Sequence, residues 1–381
     1  MDHSLMDMGI TRTAAYVYED SMSRHVLASG HPMRPVRLRY TASLLGWYGL
    51  FDHARSSLIT PTPANLEEVA SFHTIEYIEA VRMLSAGERE DGSKYGFSVP
   101  GDNPIYDGMY EAALLSTGAS VQAAKLIAEG TVDAAFAPAG GLHHAMPDHA
   151  SGFCIFNDPV VAINVLRSFG LRVVYIDIDA HHGDGVQAAF YRDDDVLTIS
   201  LHEGPRWLFP GTGSVSEIGE GRGIGFAVNI PLAPYTSDQV LLDAYDDVVT
   251  PLISSFKPDV IATQLGADSY VTDPLSHLEV TTIGYVGLLE RLSETRLPWL
   301  AFGGGGYDID AVVRCWTLAY AIILGLELPD LLPRGLEFTQ RRRLRDTKMD
   351  QERADVDRAV SFVEQQVEQI RKSVFPIHGI D

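Results

Sequence analysis

From residue 110 onward the hydrophobic positions alternate between two periods. Stretches with helical spacing at about 111–129, 158–168, 184–191, 238–256, 282–294 and 309–324 predict helices. Short apolar runs between them predict strands: DAAFA (133–137), 172–178, VLTISL (196–201), IGFAVNI (224–230), DVIATQL (259–265) and PWLAFGG (298–304). Such alternation predicts an α/β fold, one domain over residues 1–381 with a mostly parallel central sheet and helices on both faces. Ahead of it, residues 30–45 pass from a Pro-punctuated turn into a helical pattern, and 64–84 read as an amphipathic helix or two. Residues 87–108 form a Gly/Pro/Asp-rich loop whose length is uncommon unless it has a function. Past Pro333 the chain is highly charged. There Val356, Val360, Val363, Val367, Ile370 and Val374 recur at spacings of four and three, predicting one amphipathic helix at about 350–374 that packs on its own domain.

In parallel sheets, ligands bind beyond the carboxyl ends of the strands, so the residues that follow each strand are the informative ones. DAAFA leads into PAGGLHHAMPDHASGFCIFND, the strand at 172–178 into DAHHGDG, and VLTIS into LHEGPRWLFPGTG. DVIATQ leads into LGADSY, and PWLAF into GGGGYD. Clusters of Gly, His, Asp and Tyr thus gather on one rim.

The densest cluster is VVYIDIDAHHGDG (173–185). Period-two alternation sends Asp177, Asp179 and His181 toward one side of the strand end. Carboxylate and imidazole are zinc-type ligands, and three protein ligands with one open position is the catalytic arrangement. Asp179 and His181 supply two ligands. Asp268, leaving a buried strand through a glycine, is the best third; the competing assignment for it is a helix N-cap. His143 and His144 follow Gly140 and Gly141, and with Asp177 and Asp184 as partners they form a candidate acid–base pair sharing one proton near neutrality. Tyr307 follows Gly303–Gly306, which lack the residues of a phosphate loop, so its phenol is a candidate donor to a developing oxyanion. Phe153, Trp207, Leu208 and Phe209 are candidates for the walls of a narrow apolar slot, with core filling as the ordinary use of each.

Composition narrows the setting. A net charge of −22 argues against direct nucleic-acid binding and mildly favours cationic partners. No apolar run approaches the roughly 20 residues of a membrane span. The N-terminal segment lacks a basic start and an apolar core, so no secretion signal is read. Cys154 and Cys315 are expected to be reduced core thiols, too few for a cysteine-based zinc site.

With these residues assembled, the chain resembles the zinc-dependent histone deacetylase superfamily, most closely its class I and bacterial acetoin-utilisation-type members. The resemblance runs from about Tyr16 to Leu324. GHPMRPVR, GGLHHA with SGFCIFND, DIDAHHGDGV, FPGTG, QLGAD with DPL, and GGGGY with RCW occur in the family order. It implies an arginase/deacetylase-like fold and, as metal ligands, Asp179, His181 and Asp268. It also implies catalytic roles for His143, His144, Tyr307, Asp177 and Asp184. Asp102 resembles the rim aspartate that grips the substrate backbone, and Gly152, Phe153, Phe209, Leu275 and Gly305 resemble the acyl-lysine tunnel. Asp177, Asp179, His181, Ser200 and Leu201 would match an inner potassium site, with a second near Phe190, Asp193 and Val196. Met146 and Pro147 stand where eukaryotic class I members usually carry basic residues, and Ser214 where they carry Asp.

The resemblance implies hydrolysis of N-acetyl-lysine on proteins or peptides by a bacterial, cytoplasmic enzyme. Zn2+ is the expected metal, with Fe2+ as the alternative in the cell, and K+ is expected to be structural. No membrane or direct nucleic-acid partner is expected, and a homo-oligomer is compatible. The alternatives are deacetylation of acetylpolyamines or other small amines, and a catalytically silent acetyl-lysine-binding protein. An arginase-like dinuclear manganese site is disfavoured, because DAHHGDG and LGAD lack the extra bridging carboxylates.

Overall fold

The apolar runs become strands of one sheet because burial on both faces is what continuous Val, Ile, Leu and Ala runs satisfy. The computed structural model describes residues 5–88, 91–98, 101–349 and 353–381. Ten strands occur among them: β1 (Met6–Asp7), β2 (Ala14–Val17), β3 (Ser56–Ile59), β4 (Ala134–Ala137), β5 (Val173–Asp177), β6 (Val196–Glu203), β7 (Ala227–Leu232), β8 (Val260–Gln264), β9 (Trp299–Phe302) and β10 (Leu326–Glu327). β1 and β10 pair only with each other. The other eight form a wholly parallel sheet in the order β3-β2-β4-β9-β8-β5-β6-β7.

That order decides where chemistry can occur. β8 and β9 lie between β4 and β5, so the four strands ahead of the richest loops are neighbours. Because all point the same way, the four loops open on one rim. β5 is buried along its whole length, and its register places Asp177 between Gln264 of β8 and Ser200 of β6.

The six expected strands and the helices between them are present. The expected strand at 224–230 starts at Ala227, after Gly225 in the left-handed region. The helix expected over 238–256 is interrupted: Asp238–Ala244 gives way to one wider turn at Tyr245–Val249 before Thr250–Phe256, whose first turn contains Pro251. The helical patterns at 30–45 and 64–84 become Val36–Trp47, Leu66–Val69 and Ile75–Ser85. β2 and β3 were not expected. Within the long loop, residues 89–90 and 99–100 lie outside the described residues, while Tyr95 and Phe97 are buried.

Ile309–Ile323 is buried on nearly every side; it carries Trp316, whose indole N–H donates to the Leu265 carbonyl at 2.8 Å. Its Tyr320 meets Tyr16 of β2 edge-on at a centroid distance of 5.0 Å, and Tyr16 meets Phe136 of β4 edge-on at 5.6 Å. Such pairs add about 0.5–1.5 kcal/mol each beyond their burial. The C-terminal amphipathic helix is Arg353–Ser373; its expected start at 350 falls on residues 350–352, outside the described residues. Val363, Val367 and Ile370 are buried, and the helix lies against β7 and Asp238–Ala244. Cys154 and Cys315 are both free and buried.

Candidate active site

At the carboxyl ends of β5 and β8, one ligand-type atom each from Asp179, His181 and Asp268 comes within 4.8 Å of the other two. His181 Nδ1 is 3.0 Å from Asp179 Oδ1 and 3.0 Å from Asp268 Oδ2. The outward oxygens are already satisfied. Asp179 Oδ2 accepts from Gln264 Nε2 at 2.6 Å and the Gly305 N–H at 2.8 Å, and Asp268 Oδ1 accepts from the Ala180 N–H at 2.7 Å. The remaining oxygens converge with the imidazole in a buried space.

Two carboxylates buried this close conflict unless a cation or proton joins them. Burial and the neighbouring Asp179 charge push Asp268 up, whereas for Asp179 burial is outweighed by His143 and His181, which hold it well below the carboxylate range. Two oxygens and one nitrogen, all buried, fit a divalent ion and leave a position for a further ligand. Gly305 makes the approach possible: a Cβ there would stand 2.0 Å from Asp268 Oδ2.

The tandem histidines come from the loop after β4. His143 Nδ1 is 2.7 Å from Asp177 Oδ2, His144 Nδ1 is 2.7 Å from Asp184 Oδ1, and the two Nε2 atoms face each other at 3.0 Å. Burial opposes protonation of both. For His143 the charges of Asp177 and Asp179 overcome it and raise the pKa to about 9, whereas burial and the His143 charge lower His144 to about 4. Near neutrality the pair therefore holds one proton, carried by His143.

Tyr307 leaves the glycine loop after β9. Its backbone N–H donates to Asp273 Oδ2 at 2.7 Å, and burial together with Asp268 and Asp179 raises its phenol, keeping it protonated as a donor. The Phe153 ring lies edge-on to Tyr307 at 5.7 Å, and the Phe209 ring edge-on to His144 at 5.1 Å. Gly152 sits tightly between the last two, since a Cβ would be 2.3 Å from His144 Cδ2 and 3.0 Å from Phe209 Cε1. Leu275 is half-buried on the loop held by Asp273, to which its N–H donates at 2.9 Å. Asp102 is exposed, its carbonyl 3.1 Å from His31 Nε2.

Two slot candidates lie elsewhere. Leu208 packs against the main core, and Trp207 packs on Phe362 of the C-terminal helix at 5.1 Å between centroids. Of the four apolar candidates, Phe153 and Phe209 reach the site. Around the inner potassium set, the Ser200 hydroxyl is 2.9 Å from His202 Nδ1. At the second, Asp193 pairs with Arg167.

Sequence reasoning missed the supports. Arg37 is buried over the Trp316 ring and donates to the carbonyls of Gly304 (2.7 Å) and Gly306 (2.8 Å), fixing the loop that carries Tyr307. Asp158 accepts from the N–H groups of Gly141 and Leu142, fixing the loop that carries the histidines. Gln264 and Asp273 do the same for Asp179 and Tyr307. The signal for Arg37 was its place in GHPMRPVR, since an arginine amid apolar residues needs acceptors. Behind Leu142 and Phe153 lies a cavity of about 500 Å³, bordered also by Arg37, Met33 and Ser116.

Residues 31–323 match the family model described as the histone deacetylase domain. The chain belongs to the histone deacetylase family. Over 326 residues it is 41% identical to the acetoin utilization protein AcuC of Bacillus subtilis, covering 83% of each chain. Over 327 residues it is 40% identical to human histone deacetylase 1, covering 85% of this chain and 67% of the relative. Membership makes it a hydrolase of the deacetylase class and agrees with the arginase/deacetylase sheet. Among the described residues no helix is long and apolar enough to cross a membrane.

Proposed function

We propose that this deacetylase hydrolyses N-acetyl-lysine side chains on proteins or peptides, releasing acetate and free lysine. The observation that carries the reading is the histidine pair, each ring oriented by its own carboxylate and the Nε2 atoms 3.0 Å apart, beside a three-ligand cluster. Asp179, His181 and Asp268 would hold zinc, or iron(II) in its place. A divalent ion there supplies Lewis-acid polarisation of the acyl oxygen and a more acidic water.

The chain's own groups do the rest. His144, neutral and oriented by Asp184, takes the proton from water as its oxygen attacks the acyl carbon. Charge developing on the acyl oxygen meets the Tyr307 hydroxyl, a donor set in place before reaction. When the C–N bond breaks, the amine takes the proton back from His144, while His143, kept protonated by Asp177, holds positive charge beside the anionic centre. Phe153 and Phe209 are assigned to flank the lysine methylenes, and Asp102 to grip the peptide backbone at the mouth.

The net charge of −22 supports one second reading, small cationic substrates such as acetylpolyamines. Acetate release from an acetyl-lysine peptide by metal-stripped protein, before and after zinc is restored, tests the proposal. Zinc-dependent release is expected. Release from acetylpolyamine alone would replace the substrate, and binding with no turnover on either would leave an acetyl-lysine-binding protein.

A further inference from the structure

Arg353–Ser373 lies beyond the matched family domain, yet it touches the loop that supplies one wall of the site. Phe362 meets Trp207 at 5.1 Å and 71°, an edge-on aromatic contact. The Arg206 guanidinium completes the cluster, 3.8 Å from the Trp207 ring centroid and 5.7 Å from that of Phe362. Two residues further on, Phe209 lies against His144 at 5.1 Å.

The wall needs such an anchor. Phe209 remains 45% exposed, so its own burial does little to fix it. The backbone supports of its loop are the Gly204 N–H to the Leu232 carbonyl and two short turns, Trp207 to Gly204 and Gly211 to Leu208. Trp207 cannot settle deeper, because its ring already lies where a Cβ on Gly204 would be 2.9 Å away. Around the aromatic contact is a cavity of about 130 Å³ reaching Ser214, Pro231 and Gln366. Beside this cavity the helix meets the loop through the Phe362 ring, which contacts both Trp207 and Arg206.

We propose that the C-terminal helix is a positioning element for the substrate slot, acting from Phe362 through Trp207 to Phe209. Phe362 and Trp207 are positioning residues, since neither touches the site. The inference rests on the reading of Phe209 as a wall for the acyl-lysine chain. Its consequence is that segments outside the deacetylase domain set how tightly the slot grips its substrate, while the buried cluster sets the rate.

The full-length, zinc-loaded protein is compared with Phe362→Ala, Phe362→Leu and Trp207→Leu, using acetyl-lysine peptide kinetics and amide hydrogen exchange over residues 204–211. Phe362→Ala and Trp207→Leu should raise KM about 2- to 5-fold, no more than loss of the Phe209 ring itself, with kcat within 2-fold and faster exchange in 204–211; Phe362→Leu should recover most of both. Wild-type KM with unchanged exchange in both disrupting variants would overturn the proposal. So would a fall in kcat at constant KM, or faster exchange across 227–232 and 359–374 as well, which would mark general loss of helix docking. If the wild-type protein releases no acetate, the functional reading fails instead, and the exchange data still decide whether Phe362 positions the loop.

Discussion

The interior and the mouth of this site are held in different ways. In the interior, every carboxylate of Asp177, Asp179 and Asp268 is fixed by hydrogen bonds, from the Tyr175 hydroxyl on Asp177 to the Gln264 amide on Asp179 and the Ala180 N–H on Asp268. At the mouth, Phe209 is half in water on a loop pinned by side-chain packing. The difference teaches a division of labour. Groups whose charge matters must be fixed to within tenths of an ångström, and short strand-end hydrogen bonds do that. Groups that only exclude water and guide a flexible methylene chain tolerate movement.

The largest effect should come from cutting into the interior. Asp268→Ala removes one ligand and should abolish stoichiometric zinc retention, read by metal analysis after dialysis; full occupancy would refute its assignment. Asp177→Asn is milder, because His143 keeps a partner but loses the adjacent charge. Turnover should fall about 10- to 100-fold, as for other groups that support a metal site. The pH profile checks the cause. Asp177 raises His143, so its loss lowers the His143 pKa from about 9, and the alkaline limb of kcat/KM should move to lower pH. An unmoved limb would mean that His143 does not titrate there. The smallest effect belongs to the mouth. Phe209→Ala gives up a half-exposed ring, worth about 1 kcal/mol or roughly 5-fold in KM, with zinc content and pH profile unchanged. A large fall in kcat instead would erase the contrast between the two regions.

Much of this was legible in sequence, for a definable reason. Buried parallel strands must be continuously apolar, so β4 to β9 stand out, and polar residues directly after such runs announce themselves. β2 and β3 did not, because both lie ahead of the helix–strand alternation, and SSLI opens on two serines and is only partly buried. Trp207 and Phe209 have the same chemistry and sit two residues apart. In the fold Trp207 meets Phe362, more than 150 residues away in the chain, while Phe209 meets His144, and no local pattern encodes either partner. Arg37, Asp158 and Asp273 escaped notice for a related reason: each acts on backbone groups of another segment, and such pairings are made only by the fold.

The position of β8 and β9 in the sheet carries a consequence for biosynthesis. As the chain emerges, β2 to β4 can assemble as one half-sheet and β5 to β7 as another, each with a strand at its inner edge that the finished sheet buries completely. The two strands that join them, and that bring Asp268 and the glycine loop, are made after both. Until residue 268 has left the ribosome the nascent protein lacks the third member of the candidate metal cluster, and until residue 302 has followed, the two half-sheets stay unjoined. Pairing across such sequence distances is slow and exposed to aggregation, so this fold has most need of chaperone shelter just before its last central strands slide into place.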